Sequence, residues 1–207
     1  MVNVGIIIPS YNDKETVVEL AKAAQQYASH VLVVDDGSTD NTFGFCTDAG
    51  INVIRHEKNQ GKSAAIVTGL RVLSSCKLDI VVFMDADGQH FASDLPKLIK
   101  PIELGLCDAV KGYRDLSKRT LVSVVIGLLV DMMFQSKDSL CGFFAIKSEA
   151  LSKIQLNHSK RFLLEIVLLQ QLKKFDLKLC YMLIDTKGSN RIGLITAVKS
   201  FMYYLFR

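Results

Sequence analysis

The sequence predicts an α/β fold, a mostly parallel sheet flanked by helices in a single domain, and three observations carry that expectation. Apolar, β-branched runs at 4–8, 31–35, 51–55, 80–85 and 107–111 alternate with helix-like segments at about 13–28, 40–49, 63–75 and 93–104, the rhythm of successive βαβ units. The runs are continuous, as strands buried on both faces are. Two of them stop at clusters of carboxylates: Val31-Leu32-Val33-Val34 runs into Asp35-Asp36-Gly37-Ser38-Thr39-Asp40, and Ile80-Val81-Val82-Phe83-Met84 into Asp85-Ala86-Asp87-Gly88-Gln89. Ligands of open α/β sheets sit beyond the carboxyl ends of the strands, so both clusters point at one crevice. Acids crowded there repel one another, and a cation with positions left for phosphate oxygens is the simplest remedy.

Each element has its own signal. Val4-Gly5-Ile6-Ile7-Ile8 follows the first residues without a basic leader or cleavage site and reads as a first strand, not a signal peptide. Asn12 and Glu15 have capping-box spacing ahead of Val17, Val18, Ala21 and Ala24, which mark the first helix. Gly50 is the expected stop of the second. Beyond 111 the rhythm changes to an apolar stretch within about 117–134, an extended segment from Cys141 to Ile146, a helix at about 161–175 and a strand at about 177–184. The 14 apolar-rich residues from Leu121 to Phe134 would rise about 21 Å as a helix, too little to cross a hydrocarbon core of about 30 Å. Ser123, Gly127 and Asp131 fall on one stripe of it, which leaves burial in the core and a place in a membrane interface both open.

With 207 residues the chain makes one globular unit, residues 1–207, with no internal repeat or linker. The net charge of +4 is modest and the basic residues are scattered except at 111–119 and 187–199, which argues against nucleic acid and leaves phosphate or anionic lipid. Five widely spaced cysteines without ligand spacing exclude a disulfide framework and a zinc site, and fit a reducing cytoplasm.

Asp85-Ala86-Asp87 is the sharpest chemical signal, because a D-x-D turn after a buried strand brings two carboxylates to one hard cation, with Gln89 as a neutral oxygen donor. Asp35 and Asp36 suit a strand end and turn, yet two adjacent acids also suit hydrogen bonds from a base or ribose. Asn59-Gln60-Gly61-Lys62-Ser63 is not a phosphate loop, since His56 stands where that motif needs glycine. The histidines lack ligand spacing and read as structural or surface residues. Glu165 shares a helical face with Leu168 and Leu172, which leaves a functional carboxylate and a structural hydrogen bond equally open.

Taken in order, Pro9-Ser10-Tyr11-Asn12-Asp13, the stretch DDGSTDNT from Asp35 to Thr42, Asn59-Gln60-Gly61-Lys62 with Ala65 and Gly69, and Asp85-Ala86-Asp87-Gly88-Gln89-His90 resemble the ordered signature of family 2 glycosyltransferases with the GT-A fold. Asp138-Ser139-Leu140-Cys141-Gly142-Phe143-Phe144-Ala145 resembles the D-x-x-x-G-F-F stretch of dolichyl-phosphate mannose synthases and their polyprenyl-phosphate relatives. The likeness spans about residues 3 to 185.

The resemblance implies that Pro9, Tyr11, Asp36 and Lys62 line a base and ribose pocket with Glu15 nearby, and that Asp85, Ala86, Asp87 and Gln89 meet a diphosphate and its Mg2+ or Mn2+ ion. It implies further that Arg114 and Arg119 face donor or acceptor phosphate, that Asp138 belongs to the acceptor-side loop, and that Lys187 and Arg191 approximately match basic positions closing over the diphosphate. The implied activity is inverting, metal-dependent transfer of a hexose, mannose or glucose, from a nucleoside diphosphate sugar to a polyprenyl (dolichyl) phosphate at the cytoplasmic membrane face. Asp87, Arg114 and Asp138 would be central to it, and the apolar helix and an amphipathic segment at about 192–207 would touch the membrane. Transfer to a saccharide hydroxyl, with Glu165 as base, and a catalytically silent nucleotide-sugar-binding subunit are the alternatives.

Overall fold

A computed structural model describes residues 2–115, 124, 128, 131, 132, 136–139, 141–156 and 164–187. Seven strands form one sheet: β1 (Val4–Ser10), β2 (His30–Asp35), β3 (Val53–Arg55), β4 (Ile80–Phe83), β5 (Ala109–Arg114), β6 (Phe144–Lys147) and β7 (Leu179–Ile184). Their order across the sheet is β3-β2-β1-β4-β6-β5-β7. Strands β1 to β4 are mutually parallel, β6 runs antiparallel to both β4 and β5, and β7 lies parallel to β5.

The continuous apolar runs follow from burial on both faces. Ile6, Ile8, Val31, Val33, Ile80 and Val82 belong to one core cluster, and Ile7, Leu32, Val34, Val81 and Phe83 to the other, so successive side chains of each strand enter opposite layers. Helices α1 (Val17–Ala24), α2 (Thr42–Asp48), α3 (Lys62–Val72), α4 (Leu95–Glu103), α5 (Ser148–Ser152) and α6 (Leu164–Lys174) complete the described elements. Gly69 lets α3 lie close on β1, since a Cβ there would stand 2.6 Å from Cγ2 of Ile7.

Two local expectations come out differently from each other. Gly50 ends α2 as predicted, with φ +70° and its N–H on the Thr47 carbonyl. The capping box of Asn12 and Glu15 does not form. Asn12 takes φ +59° and its Oδ1 accepts from the Thr39 N–H at 2.8 Å, while α1 starts only at Val17 and the Asp13 carbonyl receives the first N–H groups. The Asn side chain is worth more as a tie between the loops after β1 and β2 than as a cap.

Of the apolar stretch, the described Leu128 is 49% and Met132 79% exposed. Asp131 faces inward instead, where its carboxylate receives hydrogen bonds from the 136–139 turn. The 192–207 segment lies outside the described residues.

Candidate active site

The crevice is built at the strand tips, where the sequence places its carboxylates. At the end of β2 both acids are consumed internally. Asp35 is fully buried, accepts from the Ser38 N–H at 2.9 Å and stands 3.4 Å from Arg55 Nε. Asp36 accepts from the N–H groups of Gln60 (2.9 Å) and Gly61 (2.7 Å) and meets His56 Nδ1 at 2.7 Å, while Nε2 of His56 reaches Thr68 Oγ1 at 3.0 Å. The second acid therefore shapes the loop leading into α3, and His56 is a buried clasp, in line with its structural reading. Three donors on one carboxylate leave one acceptor direction for a ligand. Pro9 is buried beside this loop system, whereas Tyr11 and Glu15 are exposed above it.

The turn after β4 carries the metal-type donors. The Asp85 side chain meets the Lys62 ammonium at 2.5 Å, and the same ammonium bonds Glu165 Oε1 at 2.6 Å. Lys62 thus joins the acidic turn rather than Asp36. Asp87 folds back on its own turn, accepting from the Gln89 N–H at 3.0 Å and from Gln89 Nε2 at 2.6 Å. Thr16 secures the turn to the base of α1 by donating to the buried Ala86 carbonyl at 2.5 Å. Arg114, at the end of β5, holds Asp138 with Nε at 2.8 Å and Nη2 at 2.9 Å, and turns Nη1 toward Gln89 Oε1 at 3.4 Å. The backbone N–H of Arg114 adds a third bond to Asp138.

Charge follows geometry. Burial opposes ionisation of Asp85, but the Lys62 ammonium outweighs it and holds the carboxyl below its ordinary range. Asp87 goes the other way: burial and then the Asp85 charge raise it. Burial lowers His90, which stacks on Phe143 with ring centroids 5.0 Å apart. Burial also works against the Arg114 cation, and Asp138 reverses that, so its charge is secure.

These residues fit a hard cation. Asp85, Asp87 and Gln89 offer oxygen atoms of the kind a hard cation takes, which here meet Lys62, the Gln89 amide N–H and Arg114 respectively. Among the described residues no group of three or more His, Cys, Asp or Glu is gathered for a metal. Room is kept by Gly142, where a Cβ would collide with Asp85 Oδ2 and Lys62 Nζ.

The strap after β7 is stapled to the same turn. Thr186 bridges His90, the Lys187 N–H donates to the Gln89 carbonyl at 3.2 Å, and the Lys187 ammonium lies 5.7 Å from the Phe91 ring centroid. Arg119 and Arg191 lie outside the described residues. Sequence reasoning singles out neither Thr16 nor Gly142 as a site residue, although Gly142 sits inside the D-x-x-x-G-F-F stretch, which was its available signal. The open reading of Glu165 narrows, because its carboxylate lies in the site as the second partner of Lys62.

A sheet of this topology, with a carboxylate turn at its tips, is the GT-A fold, seen also in solved structures of Mycobacterium tuberculosis glucosyl-3-phosphoglycerate synthase. The form of that enzyme in complex with Mn2+, UDP-glucose and phosphoglyceric acid matches with a TM-score of 0.78 over 99% of this chain and 79% of its own, at 18% identity. The chain belongs to glycosyl transferase family 2, whose model matches residues 5–172. Among curated proteins, an uncharacterized protein of Methanocaldococcus jannaschii is 34% identical, over 72% of this chain and 73% of its own. The dolichol-phosphate mannosyltransferase of Pyrococcus furiosus is 33% identical, over 74% of this chain and 49% of its own. The UDP-N-acetylglucosamine–dolichyl-phosphate N-acetylglucosaminyltransferase of Methanococcus voltae is 32% identical, over 47% of this chain and 46% of its own. The match thus spans about half the length of the two named transferases.

Proposed function

We propose that the chain transfers a hexose, mannose or glucose, from a nucleoside diphosphate sugar to a polyprenyl phosphate at the cytoplasmic face of a membrane, with inversion at the anomeric carbon. The observation that carries this reading is Arg114, a buried-side guanidinium gripped by Asp138 and aimed at Gln89 of the acidic turn. With Nε and Nη2 on Asp138, the fixed guanidinium still carries its charge and turns its Nη1 side toward the donor end, which suits an anionic acceptor. The names of the Pyrococcus furiosus and Methanococcus voltae relatives support the same acceptor class.

Asp85, Asp87 and Gln89 would hold a Mg2+ or Mn2+ ion whose charge neutralises the departing diphosphate. An oxygen of the acceptor phosphate forms the new bond to the anomeric carbon as the bond from that carbon to the diphosphate breaks, the electron pair leaving with the nucleoside diphosphate. A phosphate monoester has its second pKa near about 6, so it arrives ionised and needs no strong base. Glu165, already occupied by Lys62, then serves as counter-charge, and saccharide acceptors lose their expected base. Tyr11, Glu15 and the remaining acceptor direction of Asp36 would receive base and ribose, and Lys187 would close from the strap.

Among the described residues no helix is long and apolar enough to cross a membrane, and the exposed Leu128 and Met132 support contact with a lipid surface instead. Leu128→Glu together with Met132→Glu is expected to release the protein from anionic liposomes, and unchanged binding counts against that contact. The function itself is tested with purified protein, radiolabelled GDP- and UDP-sugars, and polyprenyl phosphate or oligosaccharide acceptors. Label should enter the lipid with the wild type and not with Asp87→Ala, whose fold should persist because the Asp87 carboxylate accepts from Gln89 within its own turn. Label in oligosaccharide alone overturns the reading, and donor binding without turnover supports the silent subunit.

A further inference from the structure

Asp131 is a lone acid in a stretch of apolar residues, and its side chain is the hub of a turn. Its Oδ1 accepts from the Ser139 N–H at 2.7 Å and lies 2.5 Å from the Ser139 hydroxyl and 3.1 Å from the Ser136 hydroxyl, which also touch each other, and its Oδ2 accepts from the Asp138 N–H at 2.9 Å. Two backbone N–H groups and at least one hydroxyl on one carboxylate tie the 136–139 turn to Asp131. The turn needs fixing, because Asp138 adopts φ +49°, a left-handed conformation that a non-glycine residue holds only when its surroundings impose it. In that conformation the Asp138 carboxylate, 1% exposed, is presented to Arg114, whose Nε, Nη2 and backbone N–H it accepts.

We infer that Asp131 is a positioning residue: through the left-handed Asp138 it sets the aim of the Arg114 guanidinium at the acceptor phosphate. The assignment of that phosphate rests on the proposed function; the aiming of Arg114 does not. A chain of direct contacts runs from Asp131 through Asp138 to Arg114.

Asp131→Asn is the informative change. Asn keeps an oxygen for the Ser139 and Ser136 donors but sets an NH2 against the Asp138 N–H, so the loss falls on Asp138. Ser139→Ala, which removes one hydroxyl bond, is the milder companion should the first variant fold poorly. Two readouts are used. The Nε–H signal of Arg114 in a 1H–15N spectrum, identified by its absence in Arg114→Lys, should be sharp and slow to exchange in the wild type and shifted or broadened in Asp131→Asn. In transfer assays the KM for polyprenyl phosphate should rise on the order of tenfold to a hundredfold, with the affinity for nucleoside diphosphate and Mn2+ measured by calorimetry unchanged. An unaltered Arg114 signal, or an altered one with an unchanged acceptor KM in an enzyme that does use polyprenyl phosphate, overturns the inference. A wild type that ignores polyprenyl phosphate while the Arg114 signal moves in Asp131→Asn sinks the acceptor reading and upholds the positioning role.

Discussion

The ammonium of Lys62 stands 2.5 Å from Oδ1 of Asp85, so the first residue of α3 supplies a positive charge to the acidic turn that follows β4. The same ammonium reaches Glu165, and burial of the two carboxylates makes it their principal compensation. Burial opposes the Lys62 charge, yet Asp85 and Glu165 together hold its pKa above the ordinary lysine value. Removing the cation leaves two poorly solvated anions facing one another.

Lys62→Met is therefore expected to destabilise the fold by about 1–3 kcal/mol, less than a fully buried pair because the side chains keep partial contact with water. Adding Glu165→Gln should recover part of that loss, since the second change removes the charge the first exposed. Urea unfolding of the two variants and the wild type near neutral pH is the measurement. A single variant with the wild-type midpoint would show that the pair contributes nothing.

Much of this arrangement is legible in the sequence and part is not, for a definite reason. Strands β1, β2 and β4 announce themselves because burial on both faces demands a continuous apolar run, and their tips announce themselves because charge follows each run directly. The D-x-D turn is found by the same local logic, whereas Arg114 is reached only through the family resemblance. Lys62 and Glu165 are 103 residues apart, so their relation has no local signature, and Gly142, marked only by its place in the D-x-x-x-G-F-F stretch, owes its role to the space a missing Cβ leaves. Asn12 shows the opposite failure: capping-box spacing is a local preference, and the tie to Thr39 across the crevice overrides it.

Stability at alkaline pH should depend on buried thiols. Burial pushes the Cys141 thiol up from 9.0 to about 11, and the side chain is 1% exposed. The unfolded chain then ionises its thiol first, so the folded state binds the extra proton between these values. The contribution is intact below about pH 9 and falls by about 1.4 kcal/mol per pH unit above it. Cys141→Ala should flatten the decline of the urea-derived unfolding free energy between about pH 9 and 10.5 relative to the wild type. Parallel declines would show that the thiol ionises equally in both states.

Gly142→Ala separates the fold from the site. Gly142 has no positive φ, so alanine suits its backbone, and the atoms a Cβ would strike are the ends of two side chains, Asp85 Oδ2 and Lys62 Nζ. Side-chain ends can swing aside at little expense to the core, with the Lys62 ammonium still charged and close to both carboxylates, but doing so moves Asp85 out of its place in the acidic turn. The variant should unfold within about 1 kcal/mol of the wild type, the usual range for a change that neither opens a cavity nor strains the backbone. Its affinity for Mn2+ with nucleoside diphosphate, read by calorimetry, should fall on the order of tenfold or more as Asp85 leaves its place. Equal loss of stability and binding would mean that Gly142 supports the sheet and not the crevice, and retained binding would mean that Asp85 tolerates displacement and is not a ligand the ion depends on.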